Sequence, residues 1–239
     1  MDLLKITECL IADLDHLRFS SPVEYVYNPL IYAGEPHRRY LSNYGGEKKE
    51  ALFVGMNPGP WGMAQTGVPF GEIALVRDWL GIGGTVNKPP REHPKKMVDG
   101  FQCRRSEVSG RRLWGLFRER FATPENFFHR FFVVNYCPLL FLDAEGRNIT
   151  PDKLRKAESI PLVAACDKAL LRTIEHMRPT RVIGVGNFAE TQLVNALKGL
   201  DIRIGKILHP SPASPAANNG WKETVLKQLQ EQGVDFRGL

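Results

Sequence analysis

Four short apolar runs along the chain predict buried β-strands. They are rich in Val, Ile, Leu or Phe and cover Ala51–Val54, Phe131–Asn135, Arg181–Val185 and Ile202–Leu208. Helical periodicity fills the segments between them, which is typical of a parallel sheet that is covered on both faces. We therefore expect residues 1–239 to form one domain of the α/β class, with three α/β/α layers around a mostly parallel four-stranded sheet.

The remaining periodic segments predict helices. The expected helices are residues 1–17, Glu72–Leu80, 151–179, Asn187–Leu200 and Trp221–Gln232. For the third, Thr150 is the expected N-cap, and Pro161 should kink the helix or split it in two. The first is interrupted by acidic residues and lacks a basic lead-in, so we interpret it as an amphipathic helix and not as a secretion signal. The Gly/Pro-rich stretch Gly81–Pro94 predicts an exposed excursion.

The composition excludes several classes of protein. With 43% apolar residues the chain can bury one substantial core, and no apolar run approaches the roughly 18 residues of a membrane span. The four cysteines, at positions 9, 103, 137 and 166, show no C-x-x-C spacing, so we expect reduced thiols in a reducing compartment. His93 and His209 lack the spacing of a metal motif. We expect neither a metal nor a cofactor.

The positive charge is concentrated in one segment. Residues 88–120 hold ten Lys or Arg against four Asp or Glu, a balance that equals the formal charge of +6 of the whole chain. Such a local basic surface suits a polyanion such as nucleic acid. A solvated basic face without a partner is the alternative interpretation.

Two loops that follow predicted strands are unusually rich in glycine and proline. In an open parallel sheet, ligands bind at the carboxyl ends of the strands. The loop 55–72, with the sequence GMNPGPWGMAQTGVPFGE, contains five glycines and three prolines around one amide, Asn57. Glycines permit close backbone approach to a ligand and prolines stiffen a loop, so this segment predicts a preformed cradle. A tight turn capped by Asn57 is the alternative, and Phe70 could either stack on a planar ligand or belong to the core.

Two further polar residues stand at predicted strand ends. Asn135 closes the second strand, and its amide could read the edge of a pyrimidine or bond to the neighbouring backbone. His209 precedes Pro210, which keeps it out of a helix. As an imidazolium or as a neutral donor, His209 could stabilise negative charge on a leaving group, or it could be structural.

Other signals argue against competing chemistries. The G-x-G-x-x-A match at 184–189 lacks the acidic residue that a dinucleotide site requires after the next strand. Neither rigid loop offers an Asp beside its amide or a Lys that could form a Schiff base. Glu72, the nearest acid, fits the start of a helix better.

These loops closely resemble the single-strand-selective monofunctional uracil-DNA glycosylase family. The matching segments are GMNPGPWGMAQTGVPFGE at 55–72, NYCPL at 135–139 and HPSPASPAANNGW at 209–221, and FQCRRSEVSGRRLWGLF at 101–117 is also similar. The agreement keeps its order over about residues 20–230. The resemblance implies the uracil-DNA glycosylase superfamily fold and the excision of uracil and related bases such as 5-hydroxymethyluracil.

The resemblance also implies roles for individual residues. Asn57 would hold the hydrolytic water and His209 would stabilise the departing base anion. Phe70 would stack on the flipped base and Asn135 would read its edge. The other residues implied to shape the base site are Met56, Gly59 and Met63. The residues expected at the DNA are Pro210, Ser211, Pro212, Ser214 and Pro215 in a wedge loop 210–219, together with Arg104, Arg105, Arg111 and Arg112 in the basic segment.

The sequence departs from the family pattern at Trp61, where another bulky aromatic is expected. Asn57 stands where some superfamily members carry Asp, so hydrolysis would proceed without a general base at that position. The implied mechanism is therefore dissociative, with water oriented by Asn57 after the base is flipped out of the stack.

Two rival functions remain open from the sequence. One is the same chemistry directed mainly at deaminated purines such as xanthine, and the other is a non-catalytic module that binds damaged or single-stranded DNA. In each case the expected partner is DNA, single- or double-stranded, and no membrane. We expect a monomer located in the cytoplasm with a bacterial nucleoid, or in a nucleus, and not secreted.

Overall fold

Parallel strands form the centre of the fold in the computed structural model, which describes residues 1–46 and 48–236. In chain order the strands are β1 (Tyr25–Tyr27), β2 (Ala51–Gly55), β3 (Phe131–Asn135), β4 (Leu140–Leu142), β5 (Asn148–Ile149), β6 (Arg181–Val185) and β7 (Arg203–Ile207). The central sheet has the order β3-β2-β6-β7, and every neighbouring pair in it is parallel. The predicted fold class and all four predicted strands are confirmed.

A second, small sheet was not predicted. Strands β1, β4 and β5 pair antiparallel in the order β1-β4-β5. They are two or three residues long, which is too short to establish the alternating pattern that marks a strand in a sequence. Among the described residues this sheet brings β5 and the following Thr150 to the edge of the cleft described below.

The helices enclose the central sheet. They are α1 (Leu3–Asp15), α2 (Pro29–Tyr32), α3 (Gly34–Tyr44), α4 (Met63–Thr66), α5 (Val108–Phe121), α6 (Pro124–Arg130), α7 (Lys156–Met177), α8 (Asn187–Ala196) and α9 (Trp221–Glu231). Of the predicted helices, α1, α8 and α9 are confirmed within a few residues. The segment expected as Glu72–Leu80 contains a π-helical turn, Leu75–Trp79, and Glu72 begins it as expected by accepting a hydrogen bond from the Leu75 N–H at 3.0 Å.

The long helix before β6 corrects two expectations. Thr150 opens only a 3₁₀ turn, Pro151–Lys153, and α7 starts at Lys156 after the extended residue Arg155. Pro161 lies inside α7 and does not split it. Because Pro161 is the sixth residue of this helix, its missing N–H removes one bond near the start, and the rest of the 22-residue helix compensates through its packing.

Aromatic packing holds the central strands in place. Phe53 of β2 is fully buried and its ring lies 5.5 Å from that of Phe117 in α5. Phe117 in turn stacks on Phe127 of α6, with ring centroids 4.3 Å apart. Burial of each such ring stabilises the fold by roughly 1.5–3 kcal/mol. The carboxyl ends of the strands are thus presented on a rigid base.

Neither the helices of 1–46 nor those of 48–236 combine the length and apolar character that a membrane crossing requires.

Candidate active site

A cleft opens at the carboxyl edge of the central sheet, where the loops after β2, β3, β6 and β7 meet. It encloses about 610 Å³, a volume within the usual range of small-molecule sites. The predicted residues that line it are Met56, Asn57, Gly59, Phe70, Asn135, His209, Ser211 and Pro212. The glycine- and proline-rich loops therefore converge as their positions at strand ends indicated.

Asn57 follows β2 and is held by a neighbouring loop. Its Nδ2 donates a hydrogen bond to the carbonyl oxygen of Leu139, at 3.2 Å. This bond leaves Oδ1 as the free end of the amide, and Oδ1 is shielded from bulk solvent with no hydrogen-bond partner among the described residues. An unpaired buried acceptor costs roughly 1–3 kcal/mol. The amide is thus fixed in one orientation, with an acceptor available to a molecule in the cleft.

Phe70 combines both of the interpretations considered for it. Its ring belongs to the hydrophobic core and also lines the cleft, where it lies against Gly55 and 6.1 Å from the His209 ring. The backbone of Phe70 adopts a left-handed conformation with φ of 52°, which costs roughly 1–2 kcal/mol for a residue with a side chain. Trp114 holds the loop in this conformation by donating its Nε1–H to the Pro69 carbonyl at 3.0 Å.

Asn135 lies beside Phe70 at the end of β3 and is supported from behind by a sulfur atom. Its Nδ2 donates to Sδ of Met63 at 3.3 Å. Met63 is 2% exposed and does not line the cleft, so its effect on a bound base would pass through Asn135. Because a thioether is a weak acceptor, most of the hydrogen-bonding capacity of the amide remains available.

His209, after β7, is held as a neutral ring. Its Nδ1 accepts a hydrogen bond from the Ser211 N–H at 3.0 Å, which places the ring proton on Nε2. Burial lowers the pKa of His209 to about 4. Of the two forms that the sequence left open, the neutral donor is therefore the one present at neutral pH. Gly186 allows the ring this close approach, since a Cβ there would lie 2.9 Å from the His209 Cβ.

The loop after His209 is fixed by one arginine. The Arg112 guanidinium donates to the carbonyl of Pro210 at 2.9 Å and to Oδ1 of Asn218 at 3.1 Å. Pro210 is buried, whereas Pro212 and Pro215 are exposed. Arg112, which was expected at the DNA, thus holds the loop through the Pro210 carbonyl and Asn218, and Pro212 and Pro215 lie on the outer surface of the loop.

The rest of the basic segment lies beside the cleft. Arg104 and Arg111 are exposed. Arg105 and Lys96 both lie over the ring of Trp61, at 4.6 and 4.9 Å from its centroid. Trp61 itself lines the cleft, so these two cations stand at its rim. The sequence did not indicate a role for Trp61.

A carboxyl group to which the sequence analysis assigned no role also lines the cleft. The loop 55–72 offers only Glu72, which begins the helical turn, but Glu107, immediately before α5, reaches the glycines that follow Asn57. Burial and, to a smaller extent, the Glu72 carboxylate raise the pKa of Glu107 to about 7, against the opposing effect of the Gly110 N–H. In the sequence, the segment 101–117 that contains Glu107 is marked only by its similarity to the family.

The turn between β6 and α8 also lines the cleft, although the sequence analysis assigned it no role there. Gly186, Asn187 and Phe188 line the cleft, although their G-x-G-x-x-A pattern had been set aside with the dinucleotide interpretation. They form the wall of the cleft at the end of β6. Within residues 1–46 and 48–236, no three His, Cys, Asp or Glu side chains are grouped as metal ligands.

Comparisons with known proteins agree with this arrangement. The family model of the uracil DNA glycosylase superfamily matches residues 42–230. The single-strand selective monofunctional uracil-DNA glycosylase of Rattus norvegicus is 52% identical over 225 residues, which cover 93% of this chain and 81% of the rat protein. The single-strand selective monofunctional uracil DNA glycosylase of Mus musculus is 51% identical over 225 residues, which again cover 93% of this chain and 81% of the mouse protein. The crystal structure of wild-type Pedobacter heparinus SMUG2 has a similar fold, with a TM-score of 0.67, 18% identity and coverage of 95% of this chain and 97% of that chain.

Proposed function

This chain belongs to the uracil DNA glycosylase superfamily and, within it, to the single-strand selective monofunctional uracil-DNA glycosylases; we propose that the cleft performs that chemistry on uracil and related bases in DNA. The enzyme flips the base out of the strand, hydrolyses the N-glycosidic bond and leaves an abasic site. Extrusion costs a few kcal/mol and is easiest where the base is unpaired.

The amide of Asn57 is the observation that carries this proposal. Its Nδ2 donates to the Leu139 carbonyl, and its Oδ1 is a buried acceptor that finds no partner in the part of the chain that the structure describes. A water molecule would satisfy that acceptor and would be held with its oxygen free to attack the sugar. Positioning is the contribution that an amide can make here, because it cannot accept a proton usefully.

The groups around the amide suit a dissociative reaction. As the glycosidic bond breaks, negative charge develops on the base, and the neutral His209 can donate its Nε2–H to it without giving up a proton. Such a preorganised donor is typically worth about 10²–10³ in rate. Phe70 would stack on the flipped base and Asn135 would read its edge. Met56, Gly59 and, through Asn135, Met63 would shape the space around it.

The set of side chains in the cleft favours water as the nucleophile. Of the described residues that line it, none is a lysine, so a Schiff-base intermediate has no amine at hand. We expect an intact abasic product and no DNA adduct that borohydride can trap.

The DNA would lie across the rim of the cleft. Arg104, Arg105 and Arg111 would contact phosphates, which makes binding sensitive to salt. The exposed face of the loop 210–219, with Ser211, Pro212, Ser214 and Pro215, would fill the gap that the flipped nucleotide leaves in a duplex. Both single and double strands are proposed as substrates, for a monomer acting in the compartment that holds the DNA.

Release of free base from oligonucleotides tests this function. Wild-type protein should release uracil from a single-stranded oligonucleotide, and Asn57→Ala should slow single-turnover excision at least about 10²-fold with nearly unchanged DNA binding. Binding without release by the wild type would identify a non-catalytic DNA-binding module. A panel that includes 5-hydroxymethyluracil, xanthine and hypoxanthine would reveal a main specificity for deaminated purines. Near-normal excision by Asn57→Ala would remove Asn57 from the mechanism.

A further inference from the structure

Glu107 lies in direct contact with the turn that follows the water-holding amide. A Cβ added to Gly59 would stand 2.0 Å from its Oε1, and one added to Gly62 would stand 2.2 Å from its Oε2. The carboxyl group therefore fills the space that these two glycines leave. Gly59 and Gly62 are joined by a weak backbone bond, from the Gly62 N–H to the Gly59 carbonyl at 3.4 Å. The turn thus depends on the Glu107 carboxyl for part of its support.

Glu107 and Glu72 are close to one another, and their hydrogen bonds differ. Glu72 is provided with donors, since its Oε1 accepts from the Ser106 hydroxyl at 2.8 Å and its Oε2 from the Leu75 N–H at 3.0 Å. By contrast, Oε2 of Glu107 is buried without a partner among the described residues. A carboxylate needs donors when it leaves water, and a carboxylic acid needs far fewer. The surroundings of Glu107 therefore favour its protonated form.

The other charged groups around the cleft do not neutralise an ionised Glu107. Within residues 1–46 and 48–236 it forms no ion pair. In the adjoining helix α5, the Gly110 N–H is the one donor among the described residues that favours the ionised carboxyl, the Arg111 N–H donates to the backbone carbonyl of Glu107, and Arg112 is engaged with the loop 210–219. Lys96 and Arg105 lie over the Trp61 ring, and His209 in the same cleft is neutral.

We propose that Glu107 acts as a neutral carboxylic acid that positions the turn 57–62, and that DNA binding completes its protonation. The inference rests on the proposed function. When DNA enters the cleft, it displaces water and brings phosphate charges near the carboxyl, and both effects disfavour the ionised form. The proton comes from solvent, and no covalent bond changes. An ionised Glu107 would move out of its buried position beside Gly59 and Gly62 because the carboxylate is better solvated by water. The turn that carries Asn57 would then lose its contact with the carboxyl group.

Glu107 is thus a positioning residue, and its ionisation should be visible in both binding and rate. Near pH 7 the free protein is partly ionised at this site, because the pKa of Glu107 is about 7. Binding of DNA near that pH should take up about half a proton. The second-order rate constant of excision should fall about tenfold per pH unit well above this value.

Calorimetry in buffers of different ionisation enthalpy measures the proton uptake. The ligand is a single-stranded oligonucleotide with 2′-fluoro-2′-deoxyuridine, whose glycosidic bond resists hydrolysis. Glu107→Gln keeps the shape of the neutral acid and should bind without the uptake. Its excision rate should be flat between pH 6.5 and 8.5, within about twofold of the wild type at the low end. The matched control is Glu119→Gln, on the same helix but paired with Lys222, which should behave as the wild type.

The outcomes separate clearly. Uptake that is present in the wild type and in Glu119→Gln but absent in Glu107→Gln supports the proposal. Equal uptake in all three, or a wild-type rate that rises with pH and is lost in Glu107→Gln, would overturn it in favour of a different titrating group or a catalytic base. If Glu107→Gln does not fold, a carbon NMR titration of the wild-type glutamate carboxyls with and without DNA tests the proposal instead. The proposal requires that the pKa of Glu107 rises when DNA binds, and an unchanged or lower pKa would overturn it. Failure of the wild type to release uracil contradicts the proposed function alone, since the calorimetry needs no hydrolysis.

Discussion

Gly55→Ala is a small change at the floor of the base site with a large expected effect. Gly55 ends β2 beside Asn135 in the neighbouring strand. A Cβ at this position would lie 2.4 Å from the Asn135 Oδ1 and 2.5 Å from Cε2 of the Phe70 ring. Carbon atoms pack at about 3.5–4.0 Å. The added methyl group must therefore push both proposed base-binding side chains by about 1 Å.

A displacement of this size predicts the loss of rate. A misplacement of about 1 Å can cost about 10²-fold in catalysis, because the reacting groups leave their near-attack arrangement. The Phe70 ring has little freedom to yield, since its backbone conformation is held by the bond from Trp114 to Pro69. Overpacking of this kind lowers stability by about 1–3 kcal/mol, so the variant should still fold.

Single-turnover excision of uracil from a single strand, together with thermal unfolding, provides the test. Gly115→Ala is the matched control, because a Cβ at Gly115 in α5 meets nothing within 4 Å. Alanine at such a helical site should keep the wild-type rate and stabilise the protein by about 0.5–1 kcal/mol. A folded Gly55→Ala protein with wild-type activity would refute the assignment of Phe70 and Asn135 to the base site.

Three further predictions concern His209 and the loop that follows it. His209→Ala should slow the release of uracil by about 10²–10³ and that of 5-fluorouracil, a better leaving group, much less; equal losses would mark the residue as structural. Because burial lowers the pKa of His209 to about 4, the folded state resists its protonation, and stability is lost as the pH falls from about 6.5 to 4. The free energy of unfolding of the wild type relative to His209→Ala, measured by urea denaturation, should therefore decrease by up to about 3 kcal/mol between pH 7 and 4; a constant difference would contradict the buried neutral ring. Replacement of Ser211–Ala217 by a Gly/Ser segment of equal length should impair excision from duplex much more than from single strands at matched salt. A proportional loss on both would mean that the loop only positions His209.

The central sheet and the convergence of the loops could be predicted because they depend on local patterns. Buried parallel strands are continuous apolar runs, and the carboxyl ends of such strands meet at one edge whatever the intervening helices do. Asn57, Asn135 and His209 each stand at such an end, so their proximity followed from the strand assignments. The glycine and proline content of the loop 55–72 indicated a preformed shape for the same local reason.

Features that arise from contacts between distant segments could not be predicted. Glu107 reaches the cleft from the residue before α5, about fifty residues after Asn57 in the sequence, and its pKa is raised by burial and by Glu72. The tautomer of His209 is set by the Ser211 N–H, whose direction depends on the loop conformation. Arg112 was expected at the DNA because it belongs to the basic segment, and only the fold shows its bonds to the loop 210–219.

The strand order fixes the distances between the strand ends that carry the proposed active-site residues, and these distances limit how the site can be redesigned. Asn135 is the last residue of β3, and Asn57 and His209 come two residues after the ends of β2 and β7; these three strands occupy the first, second and fourth places in the sheet. Since neighbouring strands lie about 4.8 Å apart, the ends of β2 and β7 are about 10 Å apart, and those of β3 and β7 about 14 Å. Loop exchanges can move Asn57 and His209, but they leave the intervals between the strand ends unchanged, because the sheet sets them. An engineer who wishes to admit a larger base must therefore reshape the loops after β2 and β7 or shorten the side chain at position 135, since the strand ends stay in place.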